Sequence, residues 1–275
     1  MITSLAIENK SSDKWYLKII NFIAGDKIST EIKVTDGVVL KKIYYINRKN
    51  RIDWEMISDT ASLQKKSLLC DESIQLNGQF GLRRYKSTAL NKRLCINTAL
   101  AVINNLNSDS RCEITVFDIN GEYSSSVTKM EKLQSGIKVI TANIKKYESV
   151  AEQLLKEDGT PIVVSDSMTS LLNADFVIAP QRIIKKLPVK SEAVILTSCK
   201  PTAEQNGRIF CEYELDLPLP LAKIKPNELT NAYFASALFD KCGKNQLGNI
   251  TPVAVTDGYT VHTPLSFAKS FCKNS

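Results

Sequence analysis

Residues 114–127, ITVFDINGEYSSSV, carry the most suggestive chemistry in this chain of 275 residues. A β-branched run reaches Asp118, Gly121 turns the chain, and serines lead into an amphipathic segment. A strand that turns into a helix leaves backbone N–H groups without intrahelical partners, and these favour an anion such as phosphate. Ile119, Asn120, Gly121 and Ser124 are therefore candidate contacts to a phosphate ligand. GLRRYKST (81–88) is a second candidate anion site, because Arg83, Arg84 and Lys86 precede a helix start.

Other chemistries find less support. His262 is the only histidine, and no G-x-S-x-G elbow accompanies it. P-loop, H-E-x-x-H and calcium-loop patterns are missing from the sequence. Cysteines 70, 95, 112, 199, 211, 242 and 272 are scattered and never spaced C-x-x-C, which suits neither a metal nor a disulfide framework. They read as reduced, mostly buried thiols of an intracellular, cytoplasmic protein. Asp166 and Asp175 lie at strand ends, where helix capping is their simplest role.

Composition bounds the partners. A hydrophobic fraction of 43% and a charged fraction of 24% suit a globular protein of one large domain or two modest ones. No apolar run approaches a membrane span, and the first residues lack the basic and apolar regions of a signal peptide. The formal charge of +7 comes in short basic clusters, at 41–42, 48–51, 83–86, 145–146 and 185–186. These suit a solvated surface first, a nucleotide or other anionic small molecule second. KKIYYINRKNR (41–51) mixes bases with tyrosines as single-strand nucleic-acid surfaces do, yet it also alternates as an ordinary strand. Composition gives neither substrate nor oligomeric state.

The elements that must position these residues fall into three stretches. Residues 1–87 are β-rich: 14–23 and 28–34 read as strands, and Asp36-Gly37 predicts a hairpin. Residues 88–200 begin with a helix to about Leu106 and then alternate. Strands are expected over 112–118, 137–141, 161–164, 175–179 and 192–198, with helices over 124–135 and 145–158 and a short one over 167–173. In the 145–158 helix, Tyr147, Val150, Ala151, Leu154 and Leu155 form an apolar stripe. Such alternation predicts right-handed βαβ units, hence an α/β fold with a parallel sheet flanked by helices. Residues 201–275 are expected to supply a strand (208–217), an extended proline-rich connection (218–226), a helix from Pro226 or Asn227 to Gly243, and a second Asp-Gly hairpin. They pack on the core or on the N-terminal region.

The block 112–180 resembles a Rossmann-type NAD(P)-binding domain, most nearly the nucleotide-binding half of shikimate dehydrogenases and related oxidoreductases. SLLNADFVIAP and VITANIKKYESVAEQL carry the likeness, with Asn143 at the position of that family's strand-end asparagine and Ile144 where its arginine would stand. The resemblance implies a dinucleotide over Ile119-Asn120-Gly121. Only one of the three glycines of G-x-G-x-x-G is present, with Ile119 and Ser124 in the other places, and Ile119 faces a turn that commonly needs positive φ. The acidic residue that would hold an NAD ribose is missing after the second strand, which disfavours NAD and leaves NADP, held by Asn143 and Lys145. The family's Asn-Val-Thr-x-Pro-x-Lys segment does not occur in residues 1–90. Three functions follow: an NAD(P)-dependent oxidoreductase, a non-catalytic binding or assembly module with a vestigial dinucleotide site, and a nucleic-acid-binding protein.

Overall fold

The first strand, β1 (Ile2–Asn9), is parallel to a strand that follows a hairpin. β2 (Lys27–Thr35) turns through Asp36-Gly37 into β3 (Val38–Asn47), and β3 pairs with β1 from Ile2↔Leu40 to Asn9↔Asn47. Asp36 (φ 47°) and Gly37 (φ 71°) are both left-handed, the tight hairpin turn that Asp-Gly predicts. This computed structural model describes residues 1–10, 14, 16, 20, 23–49, 51–106, 112–130 and 136–272. The strand expected over 14–23 falls mostly outside them; its described members Tyr16, Ile20 and Ile23 are helical.

The chain folds as two compact units, Met1–Ser87 with Leu217–Leu247, and Thr88–Asp216 with Gly248–Ser275. In the first, Asp53 caps helix α1 (Trp54–Ala61), its Oδ1 accepting the Met56 N–H at 3.0 Å. β4 (Leu68–Cys70) then joins β1 in parallel, giving the order β2-β3-β1-β4. Ile57 and Ala61 of α1 close one face over Leu5, Ile43, Tyr45 and Leu68.

The second unit begins with α2 (Ala89–Ile103), which buries residues on several sides, among them Leu90, Leu94, Ile96 and Val102. β5 (Ile114–Phe117), the one-turn α3 (Ser124–Val127), β6 (Ile137–Ile140), α4 (Ile144–Asp158) and β7 (Ile162–Ser165) follow. β8 (Phe176–Ala179), β9 (Val194–Thr197) and β10 (Arg208–Phe210) complete a six-stranded sheet, ordered β10-β9-β8-β5-β6-β7. Every neighbouring pair in it is parallel. Counted from β5, this is the order 3-2-1-4-5-6 of the doubly wound Rossmann fold, with the switch point between β5 and β8. α2 packs against β8 and β9, and α4 against β7. The central strands β5, β8 and β9 are buried along their whole lengths, as β-branched runs covered on both faces should be.

Several boundaries depart from the expected ones. The helix expected over 124–135 is helical only at Ser124–Val127; residues 131–135 lie outside the described set. Consecutive serines favour local hydrogen bonding over helix propagation, and the Thr128 hydroxyl indeed donates to the Ser125 carbonyl. In α4, Tyr147, Val150 and Leu154 are buried, but Leu155 at the edge of the stripe is 59% exposed.

The stretch 208–217 splits at Cys211: β10 stays in the parallel sheet, whereas β11 (Glu212–Glu214) joins a separate antiparallel ribbon. The connection 218–226 contains a helical turn, α5 (Leu219–Ala222), because proline is tolerated where helix N–H groups have no partner. α6 (Asn231–Cys242) starts later than expected, capped by the Thr230 hydroxyl, and ends at left-handed Gly243. The Tyr233 hydroxyl of α6 donates to the Tyr85 carbonyl at 3.0 Å, and Tyr85 donates to the Ser236 carbonyl at 2.9 Å. The second Asp-Gly hairpin joins β12 (Ala254–Thr256) to β13 (Val261–His262), and α7 (Pro264–Cys272) follows. No described helix is long and apolar enough to cross a membrane.

Candidate functional site: the first strand-to-helix turn

In an open parallel sheet, ligands lie at the carboxyl ends of the strands near the switch point. β5 ends there in Asp118, fully buried. Its carboxylate accepts four hydrogen bonds. The Glu122 N–H reaches Oδ1 at 3.1 Å and the Tyr123 N–H reaches Oδ2 at 2.8 Å. The Tyr147 hydroxyl donates to Oδ2 at 2.8 Å, and Gln181 Nε2 to Oδ1 at 3.3 Å. Burial first, then the Asp118 charge, pushes the Tyr147 phenol far above its ordinary pKa, so it stays a donor. Amides that precede α3, which the sequence leaves free for phosphate, are bonded to the protein's own anion.

The rest of the turn closes around this carboxylate. The Gly121 N–H donates to the Asp118 carbonyl at 3.0 Å, a tight turn in which Gly121 (φ 67°) takes the left-handed position. Ile119 does not have a positive φ, so the strain expected there is avoided. Its carbonyl accepts the Ala142 N–H at 3.0 Å, and its side chain packs against the cluster of Phe117, Ile140, Leu171 and Val177. A side chain placed on Gly121 would meet Lys146 Cδ at 3.1 Å and Asn143 Cβ at 3.3 Å. The close approach that glycine permits is therefore taken up by the start of α4.

The remaining candidates spread around this centre. Asn120 is exposed, its Nδ2 donating to Glu122 Oε1 at 3.2 Å. That bond is the chief reason the exposed Glu122 carboxyl lies below its ordinary pKa; Gln181, Lys92 and Lys146 add to it. Ser124 is the half-buried first residue of α3, and Lys145 is exposed on α4. Asn143 stands at the N-cap of α4 without capping it through its side chain; the Asn143 N–H donates to Thr141 Oγ1 at 3.0 Å. Sequence reasoning misses Asp118, Gln181 and Tyr147 as polar partners. Tyr147 sits on the apolar stripe of α4, and nothing in its spacing says that its hydroxyl meets a carboxylate.

The residues present do not fit a dinucleotide. The Glu122 and Tyr123 amides are spent on the Asp118 carboxylate, Gly121 is covered, and the end of β6 (Thr141, Ala142, Asn143) offers no carboxylate to an NAD ribose. At the second candidate site, Arg84 Nη2 lies 2.7, 3.1 and 2.8 Å from the carbonyl oxygens of Asp71, Glu72 and Ile74, a loop clasp. Arg83 and Lys86 are exposed. They belong to the first unit and α2 to the second. His262 stacks on Phe267 (5.4 Å between ring centroids) and beside Phe210 (5.6 Å). Asp175 precedes β8, at the end of the strand opposite the switch-point crevice; it accepts the Glu113 N–H at 2.8 Å and pairs with Lys190.

No protein-family model matches the chain, and no curated protein matches it. Among solved structures, it is similar to Δ1-pyrroline-2-carboxylate reductase from Thermococcus litoralis, in complex with NADH and L-proline (11% identity, TM-score 0.29). That match covers 66% of this chain and 60% of the reductase, so this chain spans about 60% of the reductase's length. L-tryptophan dehydrogenase from Nostoc punctiforme is similar over 99% of this chain and 87% of the dehydrogenase (9% identity, TM-score 0.32). A probable ornithine cyclodeaminase from Bordetella pertussis Tohama I is similar over 69% and 67% of the two chains (14% identity, TM-score 0.26). The second unit is defined as Rossmann-like by its own strand order rather than by these likenesses. A specific likeness to shikimate dehydrogenases finds no support among them.

Proposed function

We propose that this chain is a Rossmann-fold binding or assembly module whose dinucleotide turn is vestigial, closed by the carboxylate of Asp118. The observation that carries this reading is the pair of bonds from the Glu122 and Tyr123 N–H groups to that carboxylate. A buried anion already holds two of the turn's donors, and a second anion would face its charge in a medium of low dielectric. The opposing reading, an NAD(P)-dependent oxidoreductase of unidentified substrate, is the one that the strand order favours. It requires Asp118 to give up both amides.

Thermal and urea denaturation with NAD, NADP, their reduced forms and AMP separates the two. A ligand at 100 times its Kd adds roughly 2.7 kcal/mol to the folded state. The module predicts no stabilisation by any of the five. Saturable stabilisation by NADP or NAD that disappears in Gly121→Val overturns it.

A further inference from the structure

The first unit contains a cleft of ≈ 1100 Å³ formed wholly by residues 9–80. It lies where two parallel strands end: Asn9 and Asn47 are the last residues of β1 and β3, paired in register. Asn47 Nδ2 donates to Asn9 Oδ1 at 2.9 Å, which uses the amide's donor side. Asn47 Oδ1 is buried and has no partner, on a residue only 5% exposed. That oxygen is sealed from solvent, so it offers a ligand no contact; what the cleft presents to a ligand is its charged and apolar lining.

The charges around the cleft are of both signs. Lys49 and Arg51 line it, as do Asp26, Asp53 and Glu55. Asp26 is already engaged within the protein. Its Oδ1 accepts the Arg48 N–H at 2.7 Å and the Lys49 N–H at 3.2 Å, and its Oδ2 accepts the Tyr45 hydroxyl at 2.8 Å. Asp53 Oδ1 caps α1 through Met56. Glu55 and the second oxygen of Asp53 remain to face a cation, and Arg51 to face an anion. Half-buried Trp54, Ile52 and Phe80 add apolar surface to the lining. A purely anionic ligand meets Asp53 and Glu55; a purely cationic one meets Lys49 and Arg51.

We propose that this cleft binds a small zwitterion: a molecule with a protonated amine that donates N–H bonds, a carboxylate, and a short apolar part, which is the chemistry of a free α-amino acid. The amine faces Glu55 and Asp53, the carboxylate faces Arg51, and the apolar part lies against Trp54 and Phe80. The site goes beyond the closed Rossmann turn and does not depend on it, since all its residues lie in the other unit.

The test is ligand-observed NMR and tryptophan fluorescence of the full chain, titrated with each common free amino acid. N-acetyl-leucine, leucine methyl ester and glycine betaine serve as controls that lack, in turn, the cation, the anion and the N–H donor. At least one free amino acid is expected to bind with a Kd below about 1 mM, and each kind of control at least about tenfold more weakly. Arg51→Gln and Glu55→Gln, both at exposed positions, are each expected to weaken binding at least about tenfold with unchanged Tm. Lack of binding by every free amino acid up to about 10 mM overturns the proposal. So does equal binding of an N-acetylated amino acid and its free form. Neither result bears on dinucleotide binding, which the denaturation experiment reads separately.

Discussion

The Tyr147 hydroxyl donates to Asp118 Oδ2 at 2.8 Å, joining the first helix after β6 to the turn after β5. One buried carboxylate thereby ties together β5, the turn, α4 and, through Gln181, the segment after β8. Tyr147→Phe removes one hydrogen bond to a charged group and is expected to cost about 1.5–3 kcal/mol in urea denaturation. Asp118→Ala leaves two amides and a buried phenol unpaired and is expected to cost more, about 3–5 kcal/mol. Should Asp118→Ala prove milder than Tyr147→Phe, the carboxylate is not the centre of this network.

Gly121 combines a left-handed backbone with the close approach of Lys146 and Asn143. Gly121→Ala is expected to destabilise the second unit by about 1–2 kcal/mol, from the backbone and the crowding together. Adding Lys146→Ala relieves only the crowding, so the double variant should recover about 0.5 kcal/mol of that loss. Full recovery would mean that the positive φ costs nothing at this turn.

Arg208 and Asp257 carry a pH dependence. Burial by itself raises the Asp257 carboxyl, but the Arg208 guanidinium at 2.8 Å, with the N–H groups of Thr260 and Tyr259, outweighs it and holds the group well below the usual carboxylate range. The folded value lies below the unfolded one, roughly 3.9. Its stabilisation is therefore complete above that pH and is lost as pH falls through the folded value. Asp257→Asn is expected to lower stability by about 1–2 kcal/mol at pH 7, the size of a charge-assisted hydrogen bond partly open to solvent. The gap to the parent protein should narrow below about pH 4, as Asp257 begins to protonate in the unfolded chain. Urea melts across that range check the sign: a gap that widens towards acid contradicts it.

Arg84 separates a structural role from anion binding. Its guanidinium faces three carbonyl oxygens of the 71–74 loop. Arg84→Ala is expected to cost about 1.5–3 kcal/mol, whereas Arg83→Ala and Lys86→Ala, at exposed positions, stay within about 0.5 kcal/mol. Inorganic phosphate should stabilise the parent protein and the Arg84 variant equally. A phosphate effect lost only in Arg84→Ala would restore this residue as an anion ligand.

Local chemistry decided much of this fold. The Asp36-Gly37 hairpin, the alternation from 112 to 198 and the buried face of α4 follow from turn residues and apolar spacing, which act over a few residues and are legible in order. The β-branched runs also required a parallel sheet covered on both faces, since such strands cannot face water. Spacing could not say that β10 extends that sheet while β11, one residue later, leaves it, because strand partners are chosen across the chain. Nor could it say that Asp118, at the end of an ordinary strand, turns its carboxylate onto the amides ahead of α3. That depends on Tyr147, 29 residues further on, and Gln181, 63 residues further on, arriving at the same buried point. The sequence by itself determined that there is a strand-to-helix turn at Gly121. Only the tertiary structure decided that the anion filling it is the protein's own, because a buried charge takes its partners from whatever the fold brings near it.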